Sequence, residues 1–273
     1  HKIYIMWNRM NSKNKIKIST LIVARNEEKN IKACLESLEA ADEIILLLDR
    51  STDCTINIAK NFNCTIFEGS WISEGIRRNE GIKKCSHDWI LEIDADERAS
   101  KQLIDEAKNK IIKLEDTSKG YFLVPFDNYI GNKRVRYGWG ASWGVTSKPC
   151  LFHKNSKIWG DESIHPSLQL NYKQGVLVNR IDHFVDKNIS DMIQRLDRYT
   201  SAKAIDLRKS SKKLPPLWIT VRRSLTRFYK CYITRKGYKE KGWGFLNASF
   251  AALFVLISYL KAKLENDQES PKS

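Results

Sequence analysis

The sequence predicts an α/β fold: a mostly parallel, Rossmann-like sheet followed by a basic, helical C-terminal extension. Three observations predict it. Short continuous apolar runs alternate with amphipathic stretches over the first part of the chain, the pattern of βαβ units whose strands are covered on both faces. Polar and acidic residues close three of those runs, at the strand ends where open α/β sheets bind ligands. The positive charge is gathered toward the C-terminal end.

Residues 16–24, IKISTLIVA, are β-branched and apolar and read as a buried strand. In NEEKNIKACLESLEAA, Ile31, Cys34, Leu35 and Leu38 recur at helical spacing, with acids in the opening turn where the helix dipole favours them. EIILLLD at 43–49 is a second strand, and Ser51, Thr52 and Asp53, all good N-caps, open a helix over 51–62. CTIFEG at 64–69 is a third strand, 75–85 a short helix, DWILEID at 88–94 a fourth strand, and 100–114 a helix capped by Ser100. Residues 121–185 are rich in glycine and aromatics and fit an irregular sheet extension with long loops. A helix over 188–209 carries Ile189, Met192, Ile193, Leu196 and Tyr199 on one face, and Pro215-Pro216 follows it.

The 273 residues carry 47 Lys+Arg against 32 Asp+Glu, a net charge of +15. Residues 1–120 hold 20 of each sign, 121–200 hold 11 basic and 7 acidic, and 201–273 hold 16 and 5. A fold spread over nucleic acid is disfavoured, because the first half is neutral and no recognition module is present. The six cysteines form no C-x-x-C pair and have no zinc spacing, so they read as reduced core thiols of a cytosolic protein. The opening residues lack the apolar run of a signal peptide, and His1 stands where Met6 and Met10 are candidate natural starts.

Asp94-Ala95-Asp96-Glu97 ends the fourth strand. Carboxylates at i and i+2 point the same way and can converge on one hard divalent cation, Mg2+ or Mn2+. The bland alternative is a solvated acidic turn.

VARNEEKNI, LDRSTDCTINIAKNF, EGIRRNEGIKKCSHDWILEIDADE and GYFLVPFDNYIG, in that order and spacing, resemble the family 2 glycosyltransferases. Further segments, RYGWGASWGVTSKPCLFHK, DESIHP and IDHFVDKNISDMIQRLDRYTSAKA, resemble the bacterial lipopolysaccharide-core β-glucosyltransferase branch, and the resemblance covers about 16–262. It implies a glycosyltransferase-A fold, an inverting mechanism, a nucleotide-sugar donor such as UDP-glucose, and Mg2+ or Mn2+. It places Ala24, Arg25, Asn26 and Glu27 along the nucleotide, Asp49 near uracil or ribose, Arg78 and Asn79 on the nucleotide, and Asp94 and Asp96 at the metal, Asp96 the more direct ligand. With the charge partition, the chain divides into an N-terminal extension over 1–15, a glycosyltransferase-A catalytic domain over 16–210 and a basic, membrane-associating helical tail over 211–273. One departure stands out: the family's D-x-G-S-T-D-G is here one residue shorter and lacks both glycines, and aligned without a gap from Asp53 its first acid falls on Leu48.

An inverting transfer needs a general base on the acceptor hydroxyl. Asp161 and Glu162 in WGDESIHP are the candidates the resemblance points to, with His165 assisting at the metal or diphosphate; the branch's glutamate after that histidine is replaced by Pro166. His183 reads either as a diphosphate contact or as a structural histidine. Trp139, Trp143 and Trp159 read as an acceptor-sugar platform or as core.

In 217–233, Trp218, Val221, Leu225, Phe228 and Tyr232 interleave with Arg222, Arg223, Arg227 and Lys230, a membrane-surface pattern. Residues 242–260 carry no charge, long enough to span a bilayer but interrupted by Asn247, Ser249 and Ser258, so an interfacial or core-packed helix is expected ahead of a span. The expectation is a cytoplasmic enzyme, peripheral on the inner face of the membrane, with a lipid-linked saccharide acceptor and no nucleic-acid partner. The rivals are a polyprenyl-phosphate sugar transferase and a non-catalytic nucleotide-sugar-binding protein.

Overall fold

The computed structural model of the chain describes residues 16–139, 144–161, 166–210 and 213–265. In chain order the elements are β1 (Ile18–Ala24), α1 (Ile31–Ser37), β2 (Glu43–Asp49), α2 (Thr55–Ala59), β3 (Thr65–Gly69), α3 (Glu74–Lys84), β4 (Trp89–Ile93), β5 (Glu97–Arg98) and α4 (Lys101–Ile112). There follow β6 (Tyr121–Ile130), β7 (Lys133–Val135), β8 (Ser147–His153), β9 (Lys157–Trp159), β10 (Leu168–Leu170), β11 (Lys173–Val176), β12 (Ile181–Asp186), α5 (Ile189–Lys209), α6 (Leu217–Tyr229) and α7 (Gly242–Leu264). The chain forms two compact units, His1–Phe126 with Ser147–His183, and Asp127–Thr146 with Phe184–Ser273. Helix α5 therefore belongs to the unit that carries the basic helices.

In the first unit β3, β2, β1 and β4 run parallel, and β8 and β6 continue the sheet antiparallel. Every residue of β1 and β4 is buried, as continuous apolar runs require of strands covered on both faces. Ala24 pairs with Leu48, and Ile22 with Ile93, so the ends of β1, β2 and β4 share one edge. The helix starts follow their caps: Ser100 accepts from Leu103 N (3.2 Å) and Ser73 from Ile76 N (3.2 Å). Gly75 lets α3 lie flush on β9, because a β-carbon there would sit 1.7 Å from Gly160 O. All six cysteines are free; Cys34, Cys85, Cys150 and Cys231 are buried, whereas Cys54 is exposed and Cys64 half-buried, outside the expected core set. Burial pushes the Cys34 and Cys85 thiols up to about 12.

In the second unit the end of β6 and β7 form a hairpin around Gly131 (φ +56°), and α5, α6 and α7 pack together. A buried bidentate pair, Arg195 on Asp186 (3.0 and 2.7 Å), ties α5 to the end of β12. Helix α6 buries Thr220 and Ser224, while α7 buries Phe250 and Tyr259 together with the small or polar Gly244, Asn247, Ala248, Ala251 and Ser258. Ser224 Oγ donates to Ala252 O (2.8 Å). The large apolar residues of α6 point outward, with Trp218 65% and Leu225 67% exposed beside Val221 and Tyr229. Phe228 and Tyr232, expected on the outward aromatic face, instead pack on the unit's core. Helix α7 is apolar and long enough to cross a bilayer by length and composition, a test that core helices also pass.

Candidate active site at the carboxyl edge of the sheet

The loops after β1 and β2 are laced to each other. Asn26 N donates to Ser51 Oγ (3.1 Å) and Thr52 N to Asn26 Oδ1 (2.8 Å). Glu27 N donates to Thr55 Oγ1 (2.8 Å), and Glu28 N to Asp53 Oδ2 (3.0 Å). This narrows the expected cap: α2 starts only at Thr55 and its N-cap Cys54 makes no side-chain bond, Ser51 serves the neighbouring loop, and Asp53 does both, accepting from Glu28 N and from Thr55 N (3.0 Å) at the start of its own helix. Likewise α1 starts at Ile31, so Glu27 and Glu28 lie in the turn before it. Arg25 and Asn26 are exposed at the edge, while Ala24 is buried beneath them.

Asp49 is closed off. Arg50 holds it with two bonds (2.8 and 2.9 Å), Arg77 adds a third (3.0 Å), and Trp71 N a fourth (3.3 Å). Burial would raise its pKa, but these bonds and charges outweigh it and hold the carboxyl below its ordinary range. Arg50 sits at φ +50°, a left-handed position glycine takes more readily. That backbone matches the ungapped alignment, in which Arg50 falls on the family pattern's first glycine and the buried Leu48 on its first acid.

Arg78 is committed to three carboxylates, Glu74 (2.8 Å), Glu92 and Asp94 (3.0 Å), and lies over the Trp159 ring. Lys157 takes the other oxygen of buried Glu92. Asn79 clamps the backbone of Trp159, donating to its O (2.8 Å) and accepting from its N (3.1 Å). The two residues expected on the nucleotide thus make internal contacts: Arg78 orients the acids and Asn79 ties α3 to β9. Trp159 packs against the sheet core, and Trp139 is buried with its indole N–H on Val135 O (2.6 Å), so both are core rather than platform.

Asp94 accepts from Arg78 and from Lys148 Nζ (3.1 Å), and its N–H donates to Glu97 Oε2 (3.0 Å). Burial alone would raise its pKa; Arg78 and Lys148 win and keep it ionised well below the usual range. Lys148 also bonds Glu97 (2.5 Å). Burial, together with the charge of Asp94, pushes Glu97 up to about 7. The two-residue ladder of β5 and β12 sets His183 directly opposite Glu97. His183 Nε2 lies 3.5 Å from Asp96 Oδ2, and the ring stands edge-on to Phe126. One donor atom each of Asp96, Glu97 and His183 falls within 4.8 Å of the others, a set able to hold a metal ion. Two carboxylates and an imidazole suit Mn2+ better than Mg2+, which prefers oxygen alone.

Asp96, expected as the more direct metal ligand, lies in the group able to hold a metal ion. Asp94 is beside it, but with its oxygens taken by Arg78 and Lys148. Glu97 and His183 complete the cluster; Glu97 had been visible only as one more acid. Asp161 is exposed just past β9, where Gly160 N donates to Ser167 O (2.8 Å) and closes the loop. Glu162, His165 and Trp143 lie outside the described residues.

A strand-end acid cluster on a mostly parallel sheet is what nucleotide-sugar enzymes of the glycosyltransferase-A type are built on. Residues 19–158 match the description "Glycosyl transferase family 2". The chain belongs to that family and has the glycosyltransferase-A type of fold, with C-terminal helices added. It is 26% identical over 262 residues to an uncharacterised glycosyltransferase of Rickettsia typhi, covering 91% of this chain and 86% of that one. It is 22% identical to the lipopolysaccharide core biosynthesis glycosyltransferase LpsC of Rhizobium meliloti, covering 90% and 92%. Among solved structures it is similar to Staphylococcus aureus TarS residues 1–349 in complex with UDP, at 16% identity and a TM-score of 0.44, covering 83% and 75%.

Proposed function

We propose that this chain is an inverting, metal-dependent hexosyltransferase that moves glucose from a nucleotide-diphosphate donor, UDP-glucose, to a lipid-linked saccharide of the lipopolysaccharide inner-core class. The Asp96–Glu97–His183 cluster at the end of β4 carries the reading. These three residues would hold Mn2+ or Mg2+, which supplies charge neutralisation for a leaving diphosphate. Asp94, fixed by Arg78 and Lys148, sets the strand end from which Asp96 projects. The laced loops at Asn26 and Ser51 fix the backbone along which the nucleotide lies. Asp161 takes the proton of the acceptor hydroxyl, the role a base must fill opposite the leaving group. The similarity to LpsC supports the acceptor class.

The outward Trp218, Val221, Leu225 and Tyr229 of α6, with Arg222 and Arg223 exposed nearby, support a peripheral site on the cytoplasmic face of an anionic membrane. On α6 the buried residues are Thr220 and Ser224 and most of the large apolar residues face outward, a distribution suited to contact with lipid.

The test is UDP-glucose turnover with Mn2+ or Mg2+ on a lipid-linked acceptor, for the wild type and for Asp96→Asn. The expected result is metal-dependent transfer, lowered at least about 100-fold by the substitution. Unchanged transfer in Asp96→Asn sinks the metal assignment. Metal-dependent UDP binding without any turnover favours a non-catalytic binder, a reading that the closure of Asp49 by its own arginines also supports.

A further inference from the structure

The second unit contains a basic depression that the donor chemistry does not use. Two adjoining open cavities of about 560 and 730 Å3 share Lys133, Ile189 and Trp243, in the size range of ligand clefts. Lys239 and Lys241 line the first and Lys187 the second. No carboxylate partners any of these four ammonium groups among the described residues; Lys239 instead lies 5.3 Å from the Tyr137 ring. Glu240 also lines the first cavity, and the acids of these segments bond backbone N–H groups instead of the lysines. Glu240 accepts from Arg136 N (2.7 Å) and Tyr137 N (3.2 Å), and Asp191 from Lys187 N (3.1 Å).

Four lysines against the one lining carboxylate, Glu240, leave the two cavities with a net positive charge that an anion offsets. Lysine ammonium groups act as compact point charges suited to a phosphate. Trp243 is half-buried and packed on the unit's core, so its ring is held in place and offers a flat apolar face beside the charges. Lys241 is kept at φ +54°, ψ −131°, a conformation costly for any residue with a β-carbon, yet the position carries lysine.

We propose that this cleft binds a phosphorylated saccharide: Lys133, Lys187, Lys239 and Lys241 take the phosphate and the Trp243 ring takes a sugar face. As the anionic end of the acceptor, this ligand deepens the transferase reading and rests on it. A bare patch of lysines would bind phosphate as well as sugar phosphate. The aromatic wall makes the difference.

The experiment is calorimetric titration of the full chain with glucose 6-phosphate, inorganic phosphate and glucose, and separately with UDP plus Mn2+, for the wild type and for K133Q/K241Q and K187Q/K239Q. All four positions are exposed, so the folded chain tolerates the change. Glucose 6-phosphate is expected to bind at least tenfold tighter than either phosphate or glucose. Each double variant is expected to lose at least tenfold of that affinity while UDP binding is unchanged. Equal binding of glucose 6-phosphate by variants and wild type, or binding no tighter than inorganic phosphate, overturns the proposal. Vesicles of phosphatidylglycerol in phosphatidylcholine separate the other source of phosphate. If the variants lose vesicle binding and keep glucose 6-phosphate binding, the lysines serve a membrane surface and the proposal falls. If UDP binds and glucose 6-phosphate does not, the cleft fails and the transferase reading survives; the reverse result keeps the cleft and removes that reading.

Discussion

The candidate site of the first unit and the lysine cleft of the second use charge in opposite ways. At the site, Glu92 and Glu97 are buried, Asp94 is half-buried, and the three share Arg78, Lys148 and Lys157, so each of these charges has a fixed partner. In the second, the lysines of the cleft and the exposed arginines of α6 face solvent. Buried charge fixes geometry, because moving either partner leaves the other uncompensated. Exposed charge fixes little and is free to meet a ligand. The candidate active-site edge is thus held by its own counter-ions, whereas the cleft lysines have no carboxylate partner among the described residues.

The largest expected effect breaks the first pattern. Arg78→Met leaves Glu92 and Asp94 short of a partner and should cost about 3–5 kcal/mol in urea unfolding, whereas Arg222→Gln should cost under about 0.5 kcal/mol. Equal costs would erase the distinction between the units.

Glycines sharpen it next. Gly75→Ala drives a β-carbon into Gly160 O and should destabilise by about 1–3 kcal/mol. It should also lower transfer, since Asp161 leaves from that segment. Gly242→Ala meets nothing within 4 Å and should be neutral or stabilising by up to about 1 kcal/mol. Thermal midpoints of both variants check this.

pH gives a smaller contrast. The folded pKa of Asp49 is depressed, so the unfolded chain takes up the proton first as pH falls. Its contribution is present above the unfolded value of about 4 and lost as pH drops through the lower folded value. Urea midpoints should therefore fall less between pH 6 and pH 3.5 in Asp49→Asn than in the wild type. The smallest effect concerns the membrane: Arg222→Gln should weaken binding to anionic vesicles by about 1 kcal/mol, or roughly fivefold, with the loss disappearing at high salt.

The sheet was legible because its strands are continuous apolar runs, and α4 because Ser100 announces it. Asp96 was legible because it closes such a run. Glu97 and His183 as a pair were not, since β5 is two residues long and its partner strand comes more than eighty residues later; no local period records that pairing. The lacing of Ser51 and Asp53 to the 26–28 turn was hidden for the same reason: good cap residues look alike whether they cap their own helix or hold a neighbouring loop. The contacts of Arg78 and Asn79 were missed because a family pattern gives position, not direction.

That two-residue ladder has a mechanical consequence. Asp96 and His183 bracket most of the sheet extension, yet only a short run of backbone bonds pins one to the other. A cation gripped by both would act as a clasp, shortening a long loop of the unfolded chain and resisting its opening. Chelation should then loosen β12 and the preceding hairpins, seen as faster amide exchange there, well before it disturbs β1 at the centre of the sheet.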